Sequence, residues 1–425
     1  MAGESGSNET AGTAAAGESR AAEAIQTPAR DVLPSRSENE VGLALSGGGF
    51  RAALFALGTL WRLNEGGWLR KLTHITSVSG GSITAAYLGL HWKDLAFNGN
   101  GVAENFPERI ARPIEQFCRA RIDVPCIIKG LLTPRVTIGD FVARAYQKRL
   151  YNLSGGRVAT LQDLPGPGAG PVFVLYATNL QTGVSVRFTR ESISDYRLGK
   201  LPNPDTPLAV AVGASSAFPP LLSPVRLKTD PRQWRASPQM PPKDLVRLRR
   251  KMILTDGGVY DNLGLEAIFE RCGTVLVSDA GAPGEILTAP WLNWLGQLAR
   301  VRAIMMEQTR ALRRRMVMAN LTANPRLCHG ALWRIATPID RFQLPDAMVT
   351  DNPTTAALQF VRTRLNPFNA REQGELINWG YALCDAAMRK HVDPSIGRGT
   401  WPKPEFPLST PNVLMPAVAS GLATN

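Results

Sequence analysis

The sequence predicts an α/β fold with a mainly parallel central sheet, followed by a C-terminal helical region. An apolar run at residues 41–45 breaks at a glycine-rich turn and continues into an apolar helix. A second strand and helix follow within about 50 residues, and strands and helices go on alternating to about residue 285. Alternation on this scale is typical of parallel sheets covered by helices.

Composition restricts the class of protein. With 425 residues, 44% of them hydrophobic, the chain is long enough to bury a large core in one or two domains. No uncharged apolar run approaches the roughly 18 residues of a spanning helix. The formal net charge of +13 favours an anionic partner such as an acidic membrane surface. Zinc-finger spacing and RNP-like segments are absent, so nucleic acid is not expected. The five cysteines are widely spaced and form no CxxC pair, so no metal site is expected.

Composition also divides the chain. Residues 1–40 are rich in Ala, Gly, Ser, Thr and Glu and lack a secretory signal pattern, so they predict a disordered leader on a cytoplasmic protein, peripheral at most to a membrane. Residues 41–285 predict the main α/β domain, in which the proline-rich region 92–168 is an insertion or cap. Residues 286–392 predict a helical extension packed on that domain, and residues 393–425 an irregular tail.

A long helix predicted over residues 291–320 is crowded with arginine and methionine. Two interpretations remain open: the helix docks on an anionic interface, or it packs on its own domain with its arginines facing outward. The second is the commoner arrangement and is favoured.

The most informative turn is Ser77-Val78-Ser79-Gly80-Gly81, between a β-branched strand and a helix. Such a turn exposes a serine hydroxyl and aims the free N–H groups of the new helix at it. Gly81 occupies the position where a side chain would crowd the turn, whereas Ser77 replaces the first glycine of the Gly-x-Ser-x-Gly pattern. Taken alone, the pattern leaves a nucleophilic Ser79 and an ordinary Ser/Gly loop about equally open.

Gly47, Gly48 and Gly49 open the first helix, where backbone N–H groups and the helix dipole favour a negative oxygen. A phosphate or a developing oxyanion fits this loop. A dinucleotide is disfavoured because no acidic residue ends a second strand about 20 residues further on. Arg51 either adds a charged contact to a lipid phosphate or oxyanion, or is a solvated residue of the first turn.

A nucleophilic serine needs a base, and none of the four histidines falls in a recognisable loop. Asp256, followed by Gly257 and Gly258, ends a predicted strand and is the better candidate, with Asp261 and Asp279 ranked below it. The alternative is an ordinary Asp-Gly turn. In a parallel sheet, the three glycine-marked loops would share the carboxyl edge, where such folds hold their sites.

These segments resemble patatin-like phospholipases. Gly47–Arg51, the Ser79 turn and Asp256–Gly258 occur in that family's order, and Gly213–Pro220 is similar to its Ala-Ser-x-Ala-x-Pro segment. The resemblance covers about residues 41–285 and is closest in form to the cytosolic phospholipase branch. It implies a three-layer α/β/α fold, a Ser–Asp dyad with no histidine, an oxyanion hole at the glycine loop with the arginine nearby, and no cofactor.

The implied function is hydrolysis of carboxylic ester bonds of phospholipids or other acyl-ester lipids through an acyl-Ser79 intermediate. Ala52, where many members have glycine, and Ser77 depart from the family pattern and leave the substrate open. The alternatives are acyl transfer by the same dyad, a non-catalytic lipid- or partner-binding protein on the same scaffold, and a Ser–His hydrolase. The oligomeric state is not predicted.

Overall fold

The computed structural model describes residues 36–235, 241–284 and 286–408. Most of the predicted leader, residues 1–35, lies outside these residues, as does the last part of the predicted tail, 409–425. The leader's end is corrected: its last four residues belong to the first strand, which begins at Ser37 and pairs with the strand that begins at Cys272.

The described residues form one ten-stranded sheet. Its strands are β1 (Ser37–Leu45), β2 (His74–Val78), β3 (Val172–Asn179), β4 (Val184–Phe188), β5 (Ser192–Asp195), β6 (Gly199–Pro202), β7 (Val225–Lys228), β8 (Lys251–Asp256), β9 (Cys272–Asp279) and β10 (His329–Arg334). The helices are α1 (Gly49–Glu65), α2 (Gly80–Leu90), α3 (Arg112–Cys118), α4 (Asp123–Leu132), α5 (Ile138–Arg149), α6 (Leu208–Ser215), α7 (Pro242–Arg250), α8 (Gly258–Asp261), α9 (Glu266–Phe269), α10 (Trp294–Thr322), α11 (Pro353–Ala357) and α12 (Ala370–His391).

The centre of the sheet is parallel, in the order β10-β9-β1-β2-β3, as the strand–helix alternation predicts. Beyond β3 the sheet continues antiparallel through β4, β5 and β6. β8 and β7 form a second antiparallel branch on β3.

Side chains along each central strand point alternately to the two faces of the sheet, so apolar residues lie on both faces. Helices cover both faces and bury these residues. Leu43 and Leu45 of β1 belong to the large core, which also holds the apolar side chains of α1 and α12. Ala44, between them, belongs to a separate core with Ile268 of α9 and Val317 of α10. The fold is therefore a three-layer α/β/α arrangement.

The direction of β8 differs from the prediction. β8 runs antiparallel to β3, so its final residue, Asp256, does not lie at the carboxyl edge of a parallel strand. β2 ends with Val78 opposite Tyr176, and Asp256 lies opposite Ala177, the next residue of β3. β2 and β8 therefore approach each other end to end along β3, and their final residues meet.

The predicted C-terminal helical region is present, mainly as α10 and α12. It also contributes β10, which adds a parallel strand beside β9. The long helix α10 packs on its domain, but not with all its arginines outward: Arg310, Arg313 and Arg314 turn inward to Glu307, Asp261 and Asp279. None of the described helices combines the length and apolar character needed to cross a bilayer.

Candidate active site

Ser79 lies at the turn between β2 and α2 in a strained backbone conformation. Its φ is 51° and its ψ is −119°, a region that residues with side chains rarely adopt. The following glycines make the turn possible: a Cβ on Gly80 would lie 1.9 Å from the Gly49 carbonyl oxygen, and one on Gly81 would lie 2.5 Å from that of Leu45. The nucleophile turn and the glycine loop are therefore in direct contact.

A chain of buried hydroxyl groups holds this turn. The Ser79 N–H donates to Ser215 Oγ at 2.9 Å, Ser215 and Ser82 are joined at 2.9 Å, and Ser82 donates to Ser77 Oγ at 3.0 Å. Because Ser82 gives its one proton to Ser77, Ser215 must donate to Ser82. The chain explains Ser77, which replaces the first glycine of the turn pattern: its hydroxyl is the final acceptor.

Asp256 is buried beside Ser79. Its Oδ1 accepts the Gly258 N–H at 2.7 Å, while its Oδ2 is buried without a hydrogen-bond partner among the described residues. Burial raises the pKa of Asp256 to about 7, against the lowering effects of the Gly258 N–H and the Ser79 hydroxyl. The side chains of Ser79 and Asp256 are thus close enough to interact, although the part of the chain that the structure describes shows no hydrogen bond of normal geometry between them. Such bonds are often long before a substrate binds.

The α6 segment also braces Asp256. The Asp256 N–H donates to the Ala217 carbonyl oxygen at 3.0 Å, and the Gly257 N–H donates to that of Ser215 at 3.1 Å. Ser215 therefore contacts the nucleophile turn through its side chain and the carboxylate turn through its backbone. Its side chain carries a positioning role that the sequence motif alone did not reveal.

The glycine loop lies against both turns. A Cβ on Gly47 would lie 3.0 Å from Ser79 Cβ and 2.5 Å from Asn262 Oδ1, which also lies 2.6 Å from a Cβ position on Gly258. The Gly47 N–H donates to the Asn262 carbonyl oxygen at 3.1 Å, so this N–H is already used. Gly48 and Gly49, with φ values of 145° and 59°, are then the remaining candidates for oxyanion donors among the three predicted glycines.

Arg51 is not a free contact for a lipid phosphate in this structure. Its guanidinium is buried and donates to the carbonyl oxygens of Val361 at 2.7 Å, Ala280 at 2.8 Å and Gln359 at 3.3 Å. Burial lowers the pKa of Arg51 to about 10, with a smaller lowering from Arg310. These bonds tie α1 to distant loops and support a positioning role for Arg51; the residue also lines the cavity at Ser79, and its contact with substrate stays a prediction.

The carboxylates that were ranked below Asp256 already accept hydrogen bonds from backbone N–H groups. Asp261 accepts the N–H groups of Leu263 and Leu265, and Asp279 accepts that of Gly281 and faces arginines. None of the described residues that line the cavity at Ser79 is a histidine. These observations favour Asp256 over the histidine alternative.

A cavity of about 720 Å³ opens over Ser79, Asp256 and the glycine loop, within the size range of ligand sites. The predicted cap contributes Ile127, and the C-terminal region contributes Arg364. A larger cavity of about 840 Å³, near His91, contains none of the three loops and has no nucleophile–base pair, so the chemistry assigns the site to the smaller one.

Sequence reasoning missed three groups of site residues. Ser215 and Asn262 stand in or next to recognised motifs, but the direction of a side chain is not visible in a motif. The third group is the wall contributed by α10 and residues 363–365, which lies more than 200 residues from Ser79. No local signal connects it with the loops.

Replacing Ser215 with alanine should lower both stability and turnover. The buried Ser79 N–H would lose its acceptor, at a cost of about 1–3 kcal/mol in the free energy of unfolding, and the strained turn would loosen, lowering kcat about tenfold. Urea unfolding and ester hydrolysis measure the two effects. Thr84→Ala is the matched control, because it removes a buried hydroxyl that donates to the Ala53 carbonyl at 2.8 Å away from this network. Equal kcat in both variants would contradict the positioning role.

A family model described as patatin-like phospholipase matches residues 43–269, which is more than half of the chain. The chain belongs to the patatin-like phospholipase family. No curated protein sequence matches it.

Solved structures that resemble this patatin-like chain include human GIVD cytosolic phospholipase A2 and VipD from Legionella pneumophila. The human enzyme, in complex with methyl gamma-linolenyl fluorophosphonate, is 15% identical with a TM-score of 0.47, and the match covers 82% of this chain and 58% of that one. VipD is 17% identical with a TM-score of 0.33, covering 86% and 72%. The present chain thus spans less than two thirds of the human chain.

Proposed function

We propose that this protein is a lipid acyl hydrolase that cleaves carboxylic ester bonds through a Ser79–Asp256 dyad. One observation carries the proposal: a buried carboxylate with an unpartnered oxygen and a pKa of about 7 lies beside a serine held in a strained turn. A base with a pKa near neutrality accepts a proton efficiently at neutral pH. Turn strain of this kind is concentrated at functional sites.

The proposed reaction has two steps. Ser79 Oγ forms a bond to the ester carbonyl carbon as its proton passes to Asp256, and the oxyanion is stabilised by the N–H groups of Gly48 and Gly49. The tetrahedral intermediate expels the alcohol, which takes the proton from Asp256, and leaves acyl-Ser79. Water then attacks the acyl group, again giving a proton to Asp256. Collapse releases the fatty acid and returns the proton to Ser79.

The cavity supports a phospholipid substrate. Apolar side chains for an acyl chain line it, including Ile127, Phe218 and Leu222. Arg302 lines it too, and because its Nη1 donates to the Pro219 carbonyl oxygen at 2.8 Å, its guanidinium is held at the cavity with further N–H groups to donate. Guanidinium groups bind phosphate well, so this wall suits an anionic head group. We propose that the protein acts in the cytoplasm and reaches such a substrate peripherally, at an anionic membrane surface.

Acyl transfer to an alcohol or lysolipid uses the same acyl-Ser79 and is the first alternative. A non-catalytic binding role on this scaffold is the second, and the adjacent Ser79 and Asp256 speak against it. Product analysis separates the three. Incubation with phospholipid vesicles should release free fatty acid and lysolipid in equal amounts, even when a lysolipid acceptor is present. Acyl chains found mainly on the lysolipid acceptor would establish acyl transfer. The absence of turnover on any ester would favour the binding role.

A further inference from the structure

Residues 286–298, which comprise the segment before α10 and the first five residues of that helix, expose an unusual amount of apolar surface. Six large side chains there are more than half exposed: Ile286, Trp291, Leu292, Trp294, Leu295 and Leu298. The stretch 286–299 contains no charged residue. A contiguous exposed apolar surface on a globular protein marks an interaction site.

Two further groups of exposed apolar residues belong to segments that line the cavity over Ser79. In α4, Leu131 is 75% and Leu132 is 78% exposed, and the helix contributes Ile127 to the cavity wall. Phe218 and Leu221, in the loop after α6, are 40% and 60% exposed and line the cavity themselves. We call these residues together with those of 286–298 the apolar collar.

The collar borders the opening of the cavity. Residues that are both exposed and cavity-lining, such as Leu221 and Ile304, mark where the cavity reaches the surface. α4 borders it through Ile127, and α10 borders it through residues between Arg300 and Arg310. The exposed apolar residues of both helices are thus close in sequence to residues that line the cavity: Leu131 is four residues from Ile127, and Leu298 is two residues from Arg300.

Charge around the collar is mainly positive. Residues 124–135 and 286–306 contain four basic residues, Lys129, Arg135, Arg300 and Arg302, and no acidic one. Glu285 precedes the second segment, and the other two acidic residues at the borders, Asp123 and Glu307, are paired with Arg364 and Arg310. An apolar surface with tryptophan and leucine, flanked by basic side chains, has the composition of elements that lie in the interface of an anionic bilayer.

We propose that the apolar collar inserts into the surface of an anionic bilayer and seats the mouth of the cavity against the lipids. The proposal rests on the proposed function, since it supplies the route by which the lipid reaches Ser79. Trp291 and Trp294 enter the interfacial layer, and the basic residues contact the head groups. A lipid then moves into the cavity without its acyl chain crossing water.

The test uses the full chain carrying Ser79→Ala, so that vesicles are bound without being consumed. Binding to vesicles of phosphatidylcholine mixed with phosphatidylserine is compared with binding to phosphatidylcholine alone, by co-sedimentation and tryptophan fluorescence. The collar variant is Trp291→Gln, Trp294→Gln and Leu295→Gln together. The matched control is Leu180→Gln with Tyr196→Gln, which changes exposed side chains, 53% and 60% exposed, in turns beside β4 and β5.

We expect the collar variant to bind mixed vesicles at least about tenfold more weakly and the control variant to bind like the parent. In chains that retain Ser79, the collar variant should hydrolyse vesicle phospholipid about tenfold more slowly and a soluble short-chain ester at the parental rate. Unchanged vesicle binding by the collar variant would overturn the proposal. A parent that forms a collar-dependent dimer and ignores vesicles would overturn it in favour of a second copy of this chain.

The experiment distinguishes failure of the proposed hydrolase function from failure of the proposed docking surface. Collar-dependent vesicle binding without hydrolysis of any ester would remove the proposed function and keep the docking surface. Hydrolysis of the soluble ester without vesicle binding would keep the proposed function and remove the docking surface.

Discussion

Changing Ser79 to alanine should lower kcat for ester hydrolysis by at least about 10⁴-fold, because no other group can form the acyl intermediate. The cavity and the loops around it should remain in place, since the alanine keeps the backbone N–H that donates to Ser215 Oγ at 2.9 Å. Steady-state kinetics on a soluble ester gives the loss directly. Circular dichroism confirms that the variant is folded.

Ser79→Gly provides an informative companion variant. The φ of 51° and ψ of −119° cost a residue with a side chain on the order of 1–3 kcal/mol, and glycine avoids most of this cost. We therefore expect Ser79→Gly to be as inactive as Ser79→Ala yet more stable by about 1 kcal/mol in urea unfolding. A Ser79→Ala protein with near-parental turnover would refute the assignment of the nucleophile.

Changing Asp256 to asparagine should lower kcat by at least about 10³-fold, because an amide oxygen cannot take the Ser79 proton. In the parent, activity should rise with pH through about 7 and then level off, as burial holds the pKa of Asp256 at about 7 and only the ionised form accepts a proton. A histidine base would give a similar pH profile. The substitution, rather than the profile, therefore identifies the base.

The same substitution should alter how stability depends on pH. In the unfolded chain Asp256 ionises near pH 4, whereas the folded pKa is about 7, so between these values the folded state binds more protons. The contribution of Asp256 to the stability of the parent protein therefore falls as the pH rises from about 4 to about 7. Relative to the parent, Asp256→Asn should gain about 4 kcal/mol between about pH 4 and about pH 8.

Denaturant unfolding across this pH range measures the gain. Asp261→Asn is a control for turnover, because the Oδ atoms of Asp261 already accept backbone N–H groups at 2.8 and 2.9 Å. It is not a control for the pH dependence of stability, since burial raises the pKa of Asp261 too. It should cost stability without removing turnover. Full activity in Asp256→Asn, or loss of activity in a histidine variant instead, would contradict the dyad.

The sequence predicted the parts of the fold that depend on local pattern. β1, α1, β2 and α2 follow from apolar runs interrupted by glycines, and the parallel order of β1 and β2 follows from the helix between them. The orientation of β8 could not be predicted, because an apolar run forms a parallel or an antiparallel strand equally well. The end-to-end meeting of β2 and β8, which brings Asp256 to Ser79, is a property of register on β3.

Arg51 shows a second limit. Its motif position suggested a ligand contact, but its partners lie 229 to 310 residues away, at Ala280, Gln359 and Val361. α10 shows the same limit: Arg313 and Arg314 pair with the buried Asp261 and Asp279, while several of its apolar residues, such as Leu298 and Met305, are exposed. In both cases the orientation of a long side chain was decided by segments distant in sequence.

Covalent labelling with a fluorophosphonate probe, followed by identification of the modified peptide, tests the central claim most directly. The dyad predicts one label for each active molecule, on Ser79, in the parent, and none in Ser79→Ala. Labelling should slow below about pH 7, since the protonated Asp256 no longer activates the serine. A label on another residue, or equal labelling of Ser79→Ala, would contradict the account.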